Sequence, residues 1–351
     1  MTSKASVAAS ASVSARAAAP APASTPVSPP TAAIGIDIAK LKFDVALLRE
    51  GKYKSKVFEN NTAGFADFYQ WLQDNQALDA PLCMEATGSY YEPLALFLTA
   101  QKLFVSVVNP CRISSYAAAI SARNKTDKQD ARTIARYCAS QALARWQASE
   151  GSVRDLRDLA RRIEALQDIE RQERNRLGVA AAAIKPVIAE ILKATAAQIV
   201  EVNNAIKAHI AKHPELANKA KLLASIPGVG EATIRVVLSE IPESVMVSAR
   251  TAAAYTGIAP MLRESGTSVH GRSRMSKQGS PRTRKVLYFP AIVATKYNPA
   301  VKVFYERMLT KNQTKKQAVC AAMRKLLHIM VGVLKSGKPF DATLHLKQKG
   351  A

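Results

Sequence analysis

The chain has 351 residues, enough for two domains, and 48% of them are hydrophobic, an ordinary share for a protein with packed cores. Fifty Lys and Arg against 27 Asp and Glu leave a formal charge of +23, which calls for a polyanion; nucleic acid fits, because neutralised phosphates release condensed counterions. A membrane partner is excluded: there is no lipidation signal or basic amphipathic anchor, no apolar run reaches the ~18 residues that span a bilayer, and the most aliphatic stretch, Val179 to Val200, is broken by Lys185, Pro186, Glu190 and Lys193.

Residues 1–32 are almost entirely Ala, Ser, Pro, Thr and Val with only Lys4 and Arg16 charged, which reads as a disordered tail. An organellar transit peptide is the alternative, and two cations are few for one. Residues 33–150 alternate. Strands are expected over Ile34–Ile38, Lys42–Leu48 and Tyr53–Phe58, then a helix over Thr62–Gln73. A strand over Ala80–Glu85, a helix over Glu92–Gln101, a strand over Leu103–Val108 and a helix over Thr126–Ser140 follow. A meander that gives way to alternation predicts a mixed α/β sheet.

Residues 151–220 change character. Leu156, Leu159, Ile163 and Leu166 recur at helical steps, and Ile188, Ile191, Thr195, Ile199, Val202 and Ile206 repeat the pattern. A coiled-coil-like hairpin is expected, serving either as an internal connector or as an oligomerisation arm. Residues 221–337 read as mainly helical and basic, with an exposed loop from Arg263 to Pro281. The stretch Ile226-Pro227-Gly228-Val229-Gly230 resembles a helix-hairpin-helix turn, in which Gly228 and Gly230 let backbone amides approach a phosphate; a plain turn explains it equally. Residues 338–351 read as a flexible tail. Cys83, Cys111, Cys138 and Cys320 form no CxxC and read as free buried thiols, while His209 and His213 read as solvent-facing helix residues.

Four acids stand out. Asp37 interrupts the β-branched run Ile34-Gly35-Ile36-Asp37-Ile38, where a charge is costly unless paired or turned to solvent. Glu85 ends a strand, where α/β folds place their sites. Asp127 and Asp130 share a helix face at i,i+3, a position that helix N-terminal acids also occupy. Together they suit a hard divalent cation such as Mg2+ or Mn2+. Two such ions about 3.5–4 Å apart stabilise both oxygens of a phosphodiester displacement.

The motifs Gly35-Ile36-Asp37-Ile38-Ala39-Lys40, Glu85-Ala86-Thr87-Gly88-Ser89-Tyr90 and Asp127-Lys128-Gln129-Asp130-Ala131 resemble those of the IS-one-ten family of insertion-sequence transposases. Tyr255-Thr256-Gly257-Ile258-Ala259-Pro260, Ser265-Gly266 and Met275-Ser276-Lys277-Gln278-Gly279 continue the resemblance, which runs from about residue 34 to 335. Gln278 and Ser280 stand where an Arg and an Asn or Asp are commoner in the family. The resemblance implies an α/β N-terminal ribonuclease H-like (RuvC-like) domain with an Asp-Glu-Asp-Asp site and a second domain whose serine attacks DNA, a role that falls on Ser276. It also implies a structured guide RNA and a bacterial, cytoplasmic, nucleoid-associated setting. A homo-oligomer, dimer or tetramer, is the expected assembly.

Without the resemblance, Ser276 reads as a solvated loop serine. Ser280, followed by Pro281, reads as a helix N-cap. Arg263, Arg272, Arg274, Lys277, Arg282, Arg284 and Lys285 surround Ser276 and are expected to grip phosphates. Tyr288, Tyr297 and Tyr305 are available for base stacking, with packing the default. The expected function is therefore metal-dependent DNA strand exchange through a serine–DNA link. The alternatives are a RuvC-type structure-specific endonuclease and a non-catalytic nucleic-acid-binding protein.

Overall fold

A computed structural model describes residues 31–86, 88–120, 126–265, 269–311 and 313–346, with the side chains of 262–265, 269–273, 345 and 346 excepted. Nearly all of the expected N-terminal tail lies outside the described residues, as do Thr87, Asn124, Lys125, Gly266 and the last five residues. The chain divides into two compact units, one ending at Trp146 and one beginning at Gln147.

The first unit runs β1 (Ala32–Ile38), β2 (Lys42–Arg49), β3 (Lys52–Glu59), α1 (Thr62–Asp74), β4 (Leu82–Glu85), α2 (Glu92–Ala100), β5 (Val105–Val108), α3 (Pro110–Ala119) and α4 (Asp127–Ser140). The sheet order is β3-β2-β1-β4-β5, antiparallel among the first three strands and parallel from β1 to β4 to β5. This is the expected ribonuclease H-like mixed sheet with flanking helices. Strand alternation explains its two faces. Ile34, Ile36, Phe43, Val45 and Met84 point into a core closed by Phe65, Phe68 and Leu72 of α1 and Leu94 and Leu98 of α2. Ala33 and Cys83 point the other way, against Ile113 of α3 and Ile134 and Cys138 of α4.

Gly35 fixes how α4 lies on that second face. A Cβ on Gly35 would sit 2.2 Å from the Ala131 carbonyl oxygen and from the Ala135 nitrogen, so glycine permits backbone-to-backbone approach. Ala46, Ala131 and Ala135 extend the close seam. Cys138 Sγ then meets the Pro81 carbonyl, 3.2 Å away, before β4 begins. Helix α4 therefore starts at the carboxyl ends of the parallel strands and runs back along them. The sequence did not predict α3, although Asn109-Pro110 carries a start signal: Asn109 Oδ1 accepts from the Cys111 N–H at 2.8 Å.

The second unit begins with α5 (Gly151–Val179) and α6 (Lys185–Lys212), the expected hairpin. His209 Nε2 lies 2.8 Å from the Ser152 carbonyl, tying the end of α6 to the start of α5; the two histidines are thus half-buried fasteners rather than solvent-facing residues. There follow α7 (Pro214–Ala224), α8 (Glu231–Glu240), α9 (Glu243–Met246), α10 (Ala249–Tyr255), the antiparallel pair β6 (Pro260–Ser265) and β7 (Val269–Met275), α11 (Pro281–Tyr297), α12 (Pro299–Thr310), α13 (Lys315–Ser336) and α14 (Ala342–Leu346). The hairpin β6–β7 replaces most of the expected loop at Arg263–Pro281; strands this rich in Arg and Ser carry little hydrophobic alternation. Helix α14 lies within the expected flexible tail, and the Phe340 N–H donates to Ser225 Oγ at 2.8 Å.

Leu156 and Ile163 at the root of α5, Leu223, Leu287, Leu326, Leu327 and Met330 share one core. Helix α13 is long and apolar enough to cross a membrane by length and composition, and Ala322, Met323, Leu326, Leu327, Ile329 and Met330 are buried in that core instead. The sequence had pointed to 179–200 as the most aliphatic stretch. All four cysteines are free, but only Cys83 and Cys138 are buried; Cys320 is half-buried, and Cys111 is exposed in the first turn of α3.

Candidate active site

The first unit gathers its acids at the carboxyl edge of the sheet. Ile36 pairs with Met84 in the β1–β4 register, so the next residues, Asp37 and Glu85, lie side by side on the α4 face. Thr126 caps α4, its Oγ1 accepting from the Gln129 N–H at 3.2 Å, and this cap sets Asp127 and Asp130 in the first turn. Because Gly35 draws α4 onto β1, that turn overhangs Asp37. The electrostatics report the convergence. Burial pushes the Asp37 carboxyl up to about 6, and the charges of Asp130, Asp127, Glu85 and Asp44 add to the rise, in that order.

Two residues at this edge were not singled out from sequence. Asp44 lies directly across from Asp37 in the β1–β2 pairing and is buried. Lys42 Nζ donates to Asp127 Oδ2 at 2.9 Å and to Asp44 Oδ2 at 3.3 Å. Its hydrogen bond to Asp127 holds that carboxyl below the usual range and raises the ammonium in turn. The available signal was strand alternation, which puts Lys42 and Asp44 on the face of Asp37.

Among the described residues, no three His, Cys, Asp or Glu side chains stand close enough to share a metal ion. Asp127 is turned to Lys42. The donor set still fits a hard divalent cation in atom type and in charge. A cluster that raises the pKa of its own central acid is one that a cation stabilises.

In the second unit, the two sequence motifs around Ser276 meet backbone to backbone. The Ser276 N–H donates to the Ala259 carbonyl at 2.9 Å and the Lys277 N–H to the Gly257 carbonyl at 3.0 Å. The Ser280 N–H donates to the Tyr255 carbonyl at 3.2 Å. Gly279 is required here, since a Cβ would lie 2.2 Å from the Tyr255 carbonyl oxygen. Lys277 adopts φ 56, an uncommon conformation for a side-chain-bearing residue, beside a serine held half-buried. Ser280 is the N-cap of α11 as expected, accepting from the Thr283 N–H at 3.3 Å.

The basic residues divide by environment. Arg274, Lys277 and Lys285 are exposed. Arg284 Nη1 reaches the Thr256 and Lys277 carbonyls at 3.4 Å each, which ties the start of α11 to the serine loop. Arg282 is paired with Glu164, at 2.6 Å, and with Glu240, at 3.1 Å. The side chains of Arg263 and Arg272 lie outside the described residues; their backbones belong to β6 and β7. Gly228 has a packing reason: at φ 96, a Cβ there would meet Ala294 at 3.0 Å. Gly230 is the N-cap of α8, in open space.

Comparison with known proteins meets this geometry at both ends of the chain. Residues 34–186 match a family described as a transposase, and residues 220–306 match the transposase IS116/IS110/IS902 family. Pilin gene-inverting proteins of Moraxella bovis and Moraxella lacunata are each 35% identical over 317 residues, 89% of this chain and 98% of theirs. An IS110 insertion-element protein of Streptomyces coelicolor is 26% identical over 162 residues, 46% of this chain and 39% of its own length. With relatives of this identity matched almost end to end, the chain belongs to the IS116/IS110/IS902 family of transposases, enzymes that recombine DNA.

Proposed function

We propose that the chain exchanges DNA strands through a covalent Ser276–DNA link, with Asp37, Glu85, Asp127 and Asp130 holding Mg2+ or Mn2+ at the reacting DNA. The observation that carries this reading is the field at Asp37, whose carboxyl is pushed up to about 6 by burial and by the other three acids of the motif. A fold that crowds carboxylates at such a cost has a use for a cation there. When bound, the metal neutralises charge on the phosphate and on the oxygens that gain charge.

In the serine step, the Ser276 hydroxyl proton passes to solvent base and Oγ bonds to phosphorus. The bond from phosphorus to the departing strand oxygen breaks, and that oxygen leaves as a hydroxyl after taking up a proton. Rejoining reverses the step with the hydroxyl of another strand, so one phosphodiester is exchanged for another without an energy source. The exposed Arg274, Lys277 and Lys285, with Arg263 and Arg272, neutralise the DNA phosphates, while the backbone bonds to Ala259 and Gly257 fix the serine. Gly228 and Gly230 add backbone amides to a phosphate at the start of α8. Gene inversion, named for the Moraxella relatives, and movement of an element both require paired strand exchange, which this chemistry supplies.

Two further parts belong to this proposal. A structured RNA guides target choice, in keeping with the +23 charge. The chain acts as a homo-oligomer through the α5–α6 hairpin, where Ile184, Val187 and Ile191 share one face and are exposed. The test is a recombination assay on DNA carrying element ends, with wild type, Asp37→Asn and Ser276→Ala. Both variants are expected to be inactive. Strand cleavage that persists in Ser276→Ala alone supports the metal-nuclease alternative, and full activity in either variant removes its assigned role. RNA that copurifies is expected to include a discrete element-encoded species; only random cellular RNA contradicts guidance.

A further inference from the structure

Helix α11 carries its polarity the wrong way round. Thr283, Leu287, Ala291 and Ala294 face the core, as a helical period requires. The opposite face, which normally carries polar residues, presents Lys285, Tyr288, Phe289, Val293, Lys296 and Tyr297 to solvent. Phe289 is 73% exposed and Tyr297 71% exposed, and the Tyr288 and Phe289 rings stand edge to face at 5.7 Å. Sequence reasoning favoured packed tyrosines; the structure instead leaves Tyr288 and Tyr297 open, with Phe289 beside them.

We infer that this face of α11 is a stacking platform for an unpaired stretch of the DNA strand undergoing exchange. Charge selects the occupant. Between Glu264 and Glu306 the sequence contains no acid and eight Lys or Arg. A second copy packed with the same face would set this acid-free segment against itself and bury Lys285 and Lys296 opposite like charges, whereas a DNA strand offers phosphates to the lysines and base faces to the rings. Position selects DNA. The helix starts at the Ser276–Ser280 loop, and Lys285 to Tyr297 covers about 18 Å of its axis, the reach of about five nucleotides at ~3.4 Å each. Strand exchange must part paired bases, and bases parted next to the serine need a surface that receives them without reading their identity. This inference rests on the proposed strand exchange at Ser276, but single-strand binding is read without any chemistry at that serine, so the two can fail separately.

The test compares wild type with Phe289→Leu/Tyr297→Leu, which keeps apolar surface and removes the rings. Binding is measured by fluorescence anisotropy on a labelled single-stranded oligodeoxynucleotide of about 12 residues, a length within the site sizes of such surfaces, and on its duplex. The double variant is expected to bind the single strand about tenfold more weakly and the duplex as wild type does, with an unchanged melting temperature. Equal loss on both, or no loss, overturns the platform. Loss confined to an oligoribonucleotide overturns the assignment to DNA, and a change in molecular mass by light scattering would mean that a second copy covers the face. Photocrosslinking of wild type to a 5-iodouracil single strand supplies a readout independent of variant folding: adducts are expected at Tyr288, Phe289 or Tyr297, and adducts only elsewhere contradict the inference.

Discussion

Asp37 has an ordinary carboxylate pKa of 3.8 when unfolded and about 6 in the folded chain. The folded state therefore holds a proton that the unfolded state has released between those values. Stability falls as pH rises through that window, and above it the ionised Asp37 is a standing cost. In chelator, Asp37→Asn is expected to stabilise the protein at pH 8 by about 1–2 kcal/mol, discounted for solvent screening. The gain should vanish below about pH 4, where both states are protonated. Denaturant melts at the two pH values check this; a variant no more stable than wild type at pH 8 contradicts the crowding. Asp37 and Glu85 were legible as charges in or at the end of apolar strands. Lys42 and Asp44 were not, because a Lys and an Asp near a strand start look like solvent-facing residues until the β1–β2 register sets them beside Asp37. The surroundings of Arg282 and Arg284 were hidden for the converse reason: sequence displays their charge and conceals Glu164, Glu240 and the carbonyls beside them.

At the scale of elements, periodicity located the strands and helices of the first unit apart from α3, which buries only Ile113 and so carries little apolar period. It failed at β6–β7, where strands rich in Arg and Ser carry no apolar alternation, and at the short helices α9 and α14. Placement of α4 rests on Gly35. Gly35→Ala would drive a methyl into the α4 backbone and is expected to lower stability by about 3 kcal/mol, with loss of recombination as Asp127 and Asp130 move off Asp37. A urea midpoint matching wild type contradicts this packing. The two serines of the second unit separate in the same way. Ser280→Ala removes the α11 cap and should cost about 1 kcal/mol, whereas Ser276→Ala should change stability by no more than about 0.5 kcal/mol. Thermal melts of the pair test the division between capping and chemistry, and the reverse ranking would contradict it.

For the molecule as a whole, charge and exposed apolar surface carry the proposed nucleic-acid and self-association contacts. Net charge of +23 predicts affinity for duplex DNA that falls linearly in log–log form with salt, by about 0.9 per phosphate neutralised. Val187→Glu with Ile191→Glu places two charges on the exposed hairpin face and is expected to reduce molecular mass in light scattering, with folding intact. An unchanged mass would move the oligomer contact elsewhere. The division of labour between a carboxylate cluster in one unit and a serine loop in the other is the central claim, and a trapped reaction tests it most directly. Wild type incubated with element-end DNA and divalent metal should yield a protein–DNA adduct that survives denaturation and maps by mass spectrometry to Ser276. Asp37→Asn and Ser276→Ala should yield none; an adduct that persists in Ser276→Ala, or maps to another residue, contradicts the claim.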